Sequence, residues 1–268
     1  MIIDFHTHIF PDRIAEKTIS KLGAMIEQKP YTDATLQGLK KSMRRSGVDY
    51  SVVLPVVTRP EQFENVTVFA VQVSEEENIL SFGGIHPKTE DYKAFIDRIV
   101  ELGLKGIKLH PDFQDTFIDE QCYVDLIAYA LERDLIVLIH AGRDEGLSYP
   151  VHCPPDKALY MMQEVQKRVS TKKLVLAHTG GLGMWDQVEE YLVGQNFYMD
   201  ISFSRKAIEK EQLIRIIKNH GADRILFGSD SPWDGQAETI DFVRSLDITE
   251  EEKQCILGEN ARKLLGLS

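Results

Sequence analysis

The sequence predicts an α/β protein of the (β/α)8 TIM-barrel class, a single domain over residues 1–268. Three observations carry that expectation. Short β-branched apolar runs alternate with longer amphipathic stretches, eight such runs occur, and histidines gather at their carboxyl ends. Alternation of this kind implies parallel strands, and a parallel sheet has to be covered by helices. The length is the usual one for a barrel of eight units. The doubly wound open sheet competes, but no G-x-G-x-x-G follows the first run.

In chain order the runs are IIDF, YSVVLPVV, ILSFGGI, GIKL, LIVLI, KLVLA, NFYMDI and RILFG. Helical spacing lies between them, as in YVDLIAYALERD after the fourth and KALYMMQEVQKRV after the fifth, where apolar residues recur every three or four positions. Gly47, Gly103 and Gly221 stand where a left-handed residue would end a helix before the next strand. Pro154 and Pro155 stand where a helix would open. The stretches 10–47 and 142–157 read as insertions at the barrel rim, and no composition shift marks a second domain.

With 43% hydrophobic and 27% charged residues, the composition is that of a soluble globular protein. The formal charge of −11 repels phosphate backbones and anionic membranes, so no nucleic-acid or membrane partner is expected. No apolar run is long enough for a membrane span. Three scattered cysteines, Cys122, Cys153 and Cys255, form no C-x-x-C pair, which fits a reducing cytoplasm. The expectation is an unexported cytoplasmic protein with a small-molecule substrate and room for a homo-oligomeric assembly.

Six of the eight histidines fall at or just beyond a strand's carboxyl end: His6, His8, His86, His110, His140 and His178. Asp230 ends the eighth run. In a barrel these ends form one rim, where such enzymes do chemistry. Strict alternation puts Asp4, His6 and His8 on one face, with Ile3, Phe5 and Thr7 on the other, so His6 and His8 can hold one ion. Imidazole with carboxylate suits zinc, with manganese or iron as alternatives if more ligands are oxygens. A single buried histidine is more simply a hydrogen-bonded core residue; the set favours a metal.

The segments IIDFHTH, His140 after LIVLI, His178 after LVLA, FGSDSPW at 227–233 and ENARKLLGL resemble the amidohydrolase superfamily over essentially the whole chain. The likeness is to its amidohydrolase-related branch, which includes aminocarboxymuconate semialdehyde decarboxylase and metal-dependent hydrolases and lactonases. That resemblance implies His6, His8, His140 and Asp230 as ligands, and His178 as the catalytic histidine that orients water or polarises the substrate. IKLHP at 107–111 is similar to the KLYP of dihydroorotases, whose lysine is carboxylated and bridges two metals. Lys108 with His178 therefore forms a possible second-metal set, although one ion is favoured over two.

Asp230 would serve as ligand and as the proton-transferring group. Metal-activated water acting on an amide, lactone or other C–N or C–O bond of a small anionic molecule is the first reading. Decarboxylation of an aromatic or unsaturated carboxylic acid is the alternative, and a non-catalytic metal-binding protein comes third. Candidate substrate contacts are Arg59, His86, His110, Arg143 and His152, with Arg205 as a further basic side chain at the mouth. Trp185 and Trp233 are candidate pocket walls. His220, at a helix end, reads as structural, with an imidazolium suited to the negative dipole end.

Overall fold

The apolar runs become parallel strands in a computed structural model that describes residues 1–147 and 150–267. The strands are β1 (Ile3–Thr7), β2 (Tyr50–Val53), β3 (Ile79–Ser81), β4 (Gly83–Gly84), β5 (Gly106–Leu109), β6 (Ile136–Ile139), β7 (Leu174–Leu176), β8 (Tyr198–Asp200) and β9 (Ile225–Leu226). They pair in chain order as β1-β2-β3 and as β4 through β9. The third run, ILSFGGI, is one strand position broken at Phe82: β3 pairs with β2 and β4 with β5, and the Phe82 N–H donates to the Val53 carbonyl at 3.0 Å.

The two ends of the series meet. Phe5 N–H donates to the Phe227 carbonyl at 2.9 Å, and beyond the strand Asp230 N–H donates to the His6 carbonyl at 2.8 Å. The architecture is the expected barrel.

Two apolar layers hold it. Phe5, Val52, Leu54, Phe82, Leu138, Val175 and Leu226 cluster inside, closed by Ala261 and Leu265 of the helix Asn260–Leu265. Ile107, Leu109, Val137, Ile139, Leu174 and Leu176 belong to the outer core, shared with buried residues of the helices Gln121–Glu132 and Pro155–Gln166. Each fully buried aliphatic side chain contributes about 1.5–3 kcal/mol relative to exposure. Backbone geometry agrees with the expected helix ends: Gly47, Gly103 and Gly221 have φ of 68°, 75° and 105°. Pro154 caps the helix that Pro155 opens. The 10–47 insertion holds two helices, Asp12–Met25 and Leu36–Ser46, while Ser148 and Tyr149 of the second insertion lie outside the described residues.

The expected faces of the first strand need correction. Register slips by one residue against β2 between Asp4 and Thr7. A bulge of this kind re-aims the side chains that follow it. Asp4 therefore bonds on the helix side, to Ser229 and to Gln236 Nε2 at 2.8 Å, while Phe5 joins the inner layer. His6 then turns toward Lys108 and Asp200, across the barrel, so Asp4 does not share its face.

His220 also departs from expectation. It is fully buried, accepts from the Gly194 N–H at Nδ1 (3.2 Å) and donates from Nε2 to the Phe197 carbonyl (2.9 Å). Both ring nitrogens are used by the neutral form, and burial pushes the pKa down to about 4. It is structural, as expected, but no imidazolium. The unfolded chain takes up the proton near pH 6.5, so His220 destabilises the fold as pH falls from about 6.5 to 4. Asp4, pushed up to about 6 by burial, acts in the opposite direction over much of that window. The difference in unfolding free energy between wild type and His220→Gln, measured by urea titration, should therefore shrink by about 1–3 kcal/mol between pH 7 and pH 4.5.

Candidate metal centre

Hydrogen bonds outside the centre fix which nitrogens face into it. His6 Nδ1 lies 2.8 Å from Asp200 Oδ2, and His8 Nδ1 lies 2.8 Å from the Leu54 carbonyl. Oxygens of these kinds only accept, so each Nδ1 carries the proton and, in the neutral ring that binds a metal, each Nε2 is bare. The two bare Nε2 atoms stand 3.1 Å apart, and Asp230 Oδ1 is 3.2 Å from both. Lys108 Nζ, 3.3 Å from His6 Nε2, can satisfy one lone pair; the others remain opposed. A divalent cation is the partner that fits this donor set.

Electrostatics agree. Burial, assisted by Lys108, drives the His6 pKa well below the ordinary imidazole value, so His6 is neutral, as a ligand must be. Lys108 is buried on the inner side of β5, and that burial pushes its ammonium down to about 8.

His178 and His140 form the next link. His178 Nδ1 donates to the Ser202 carbonyl at 3.0 Å, leaving its Nε2 bare and 3.0 Å from His140 Nδ1. The His178 ring lies against His6, with centroids 5.2 Å apart. Both His178 (φ 59°) and Asp230 (φ 65°) are left-handed, a conformation that costs of order 1 kcal/mol each in a non-glycine residue. Their backbone N–H groups hold them there, donating to Asp200 Oδ1 at 3.1 Å and to the His6 carbonyl at 2.8 Å.

The structure thus groups His6, His8 and Asp230, with Lys108, His178 and His140 alongside. His140 is also grouped with His110 and Asp144 as a second set of convergent ligand atoms. His110 stacks on His140 at 4.1 Å and lies 3.4 Å from Asp144 through Nε2. Asp112, Arg143, Asp144, Leu182 and Gly183 line a cavity of about 320 Å³ there. His152 sits behind Asp112, and His86 accepts from the Lys88 N–H at 3.1 Å.

At the mouth, Arg59, Arg205, Trp185 and Trp233 lie outside the lining of that cavity. Arg59 is exposed beside a short 3-10 helix and is not among the residues lining that cavity. Arg205 is tied to Asp234 at 2.6 Å, which removes it as a free cation. Trp185 packs in the outer core and donates to the His178 carbonyl at 3.2 Å, while Trp233 lies near Gly23; neither walls the cavity.

Asp200 and Ser202 went unmarked in the sequence reading. Asp200 orients His6, and Ser202 Oγ lies 3.0 Å from the Nδ1 atoms of both His6 and His178. The available signal was a carboxylate at the end of NFYMD. Gly228 is a further support, since a Cβ there would stand 2.8 Å from His6 Cβ. Gly228→Ala should lower stability by about 1–3 kcal/mol through overpacking and weaken metal binding, read by thermal unfolding and metal titration.

The amidohydrolase family model matches residues 3–267, and the chain belongs to that family. Among solved structures, 2,6-dihydroxybenzoate decarboxylase from Rhizobium is similar at TM-score 0.73 and 17% identity, covering 99% of this chain and 98% of that one. A dihydroxybenzoic acid decarboxylase from Polaromonas sp. JS666, with bound manganese and the inhibitor 2-nitroresorcinol, gives 0.74 and 16% over 99% and 97%. A TIM-barrel protein from Bordetella bronchiseptica gives 0.75 and 16% over 99% and 98%. A search of curated proteins finds no match.

Proposed function

We propose that the chain is a metal-dependent decarboxylase of a small aromatic or unsaturated carboxylic acid. What carries this reading is the whole-chain likeness to structures named as dihydroxybenzoate decarboxylases. It reverses the order of the two reactions expected from sequence. His6, His8 and Asp230 would hold one divalent ion, with His140 completing the set from the His178 side. Zinc and manganese both suit such donors. When bound, the ion supplies electron withdrawal from the substrate's oxygens.

The remaining work falls to the chain. Arg143 lines the cavity in which a carboxylate substrate would sit. As the C–C bond breaks, its electron pair stays on the substrate carbon and CO2 departs; one proton must reach that carbon. Asp230, once protonated from solvent, would pass it. His178, fixed by Ser202, orients the reacting group. His178→Asn should keep its ion and lose roughly 10²–10⁴-fold in turnover; loss of the ion would instead make His178 a ligand.

Hydrolysis is the second reading, favoured by one observation. Asp230 Oδ1 stands 3.2 Å from the Nε2 atoms of both His6 and His8, where its carboxylate would take a proton from water. The discriminating experiment loads the protein with Mn²⁺ or Zn²⁺ and offers hydroxybenzoates, unsaturated acids, lactones and amides. Turnover confined to the acids, with CO2 released, supports decarboxylation; turnover confined to lactones or amides overturns it.

A further inference from the structure

Two buried polar atoms beside the centre lack a partner: His140 Nε2 and Asp112 Oδ2. They face each other at 3.9 Å, from side chains only 6% and 5% exposed. The other oxygen of Asp112 is held twice, by the His152 backbone N–H at 3.0 Å and by His152 Nδ1 at 3.0 Å. His152 Nε2 in turn meets Asp115 Oδ1 at 3.3 Å. Asp112 is therefore fixed from behind, with its free oxygen aimed at His140.

The protons on His140 can be arranged in two ways. With the proton on Nδ1, it bonds to the bare Nε2 of His178. That choice leaves a bare Nε2 against a carboxylate oxygen, two buried acceptors face to face, which is costly in a dry interior. With the proton on Nε2, both orphans become complementary, and Nδ1 is left with its lone pair against the bare His178 Nε2 at 3.0 Å, an opposition that a cation in the centre relieves. The gap is too long for a hydrogen bond and too short for a bridging water. Ring movement of ~1 Å closes it.

We infer that Asp112, clamped by His152, is the positioning residue that keeps His140 with Nε2–H outward and Nδ1 free to bind metal. This rests on the metal reading above. Carboxylates placed behind ligand histidines raise ligand basicity and fix ring orientation, and losing one typically costs roughly 10–100-fold in metal affinity. His152 acts only through Asp112, so the two losses lie on one path.

The test titrates Mn²⁺ into metal-free full-length protein, following free Mn²⁺ by its EPR signal, in wild type, Asp112→Asn, His152→Gln and the double variant. Apo thermal stability is recorded alongside. Asp112→Asn should weaken binding roughly 10–100-fold. His152→Gln should weaken it less, and the double variant should match Asp112→Asn. Affinity in Asp112→Asn within twofold of wild type overturns the inference and leaves the metal centre standing, whatever the apo stability does. If Asp112→Asn does not fold, His152→Gln decides alone: at least threefold weaker binding supports the inference, and unchanged binding overturns it. A wild type that binds no Mn²⁺ overturns both this inference and the metal reading.

Discussion

Replacing His6 and His8 together by alanine is expected to empty the metal centre, leaving below roughly 5% of wild-type occupancy and a turnover loss of at least about 10⁴-fold. The expectation follows from the two Nε2 lone pairs that stand 3.1 Å apart, each fixed inward by the proton on its own Nδ1. Removing both leaves Asp230 as the one member of the trio. Elemental analysis of dialysed protein gives the occupancy. A chelator gives a second readout: wild type should lose several degrees of Tm when its ion is stripped, as any ligand specific to the native state requires. The double variant should not respond. Lys108→Ala is the companion variant: on the one-ion proposal it keeps an ion, whereas a carboxylated, bridging Lys108 would make it lose one. Full occupancy in the double histidine variant would remove the centre from the account.

The second large effect is expected at Asp230. Asp230→Asn keeps the shape and the left-handed backbone, which asparagine tolerates, but replaces the carboxylate by an amide that neither takes nor returns a proton. Turnover should fall roughly 10²–10⁴-fold, while affinity for an unreactive substrate analogue stays within a few-fold of wild type. Binding and rate therefore separate. A loss of analogue binding as large as the loss of turnover would show that Asp230 acts through its hold on the ion alone, with no part in proton transfer. Calorimetry with the analogue and single-turnover kinetics on the same preparations decide between the two.

What the sequence allowed to be read depended on whether a residue's role followed from its place on a strand. His6, His8, His140, His178 and Asp230 were legible because each ends a strand, and the barrel brings those ends to one rim. The eight runs were legible for the same reason, since β-branched runs between amphipathic helices have few other uses. Asp4 was misplaced because alternation presumes a regular strand, and the register slip between Asp4 and Thr7 breaks it. No local signal in IIDFHTH marks that slip.

Asp200, Ser202 and Asp112 were not legible because their work is done through distance. Asp200 lies 194 residues from His6 in the chain and 2.8 Å from it in space. Aspartates and serines are common, and only the fold says which of them stands behind a ligand. The pairing of Arg205 was hidden for a related reason: its partner Asp234 comes from another part of the rim and is not seen until the two strand ends meet. His220 shows that a helix-end position predicts charge only at the surface; burial reversed it.

Solvent ¹⁸O separates the proposed breaking of a C–C bond to carboxylate from hydrolysis. With the metal-loaded protein and a turned-over acid in H2¹⁸O, decarboxylation replaces the carboxyl by a proton, so the organic product gains no solvent oxygen and CO2 appears in equal amount. Bicarbonate exchange labels released CO2, so the label is read in the organic product alone. One CO2 per product molecule with no ¹⁸O in that product is the predicted result. One ¹⁸O per product molecule without CO2 would contradict it and establish hydrolysis at the same site.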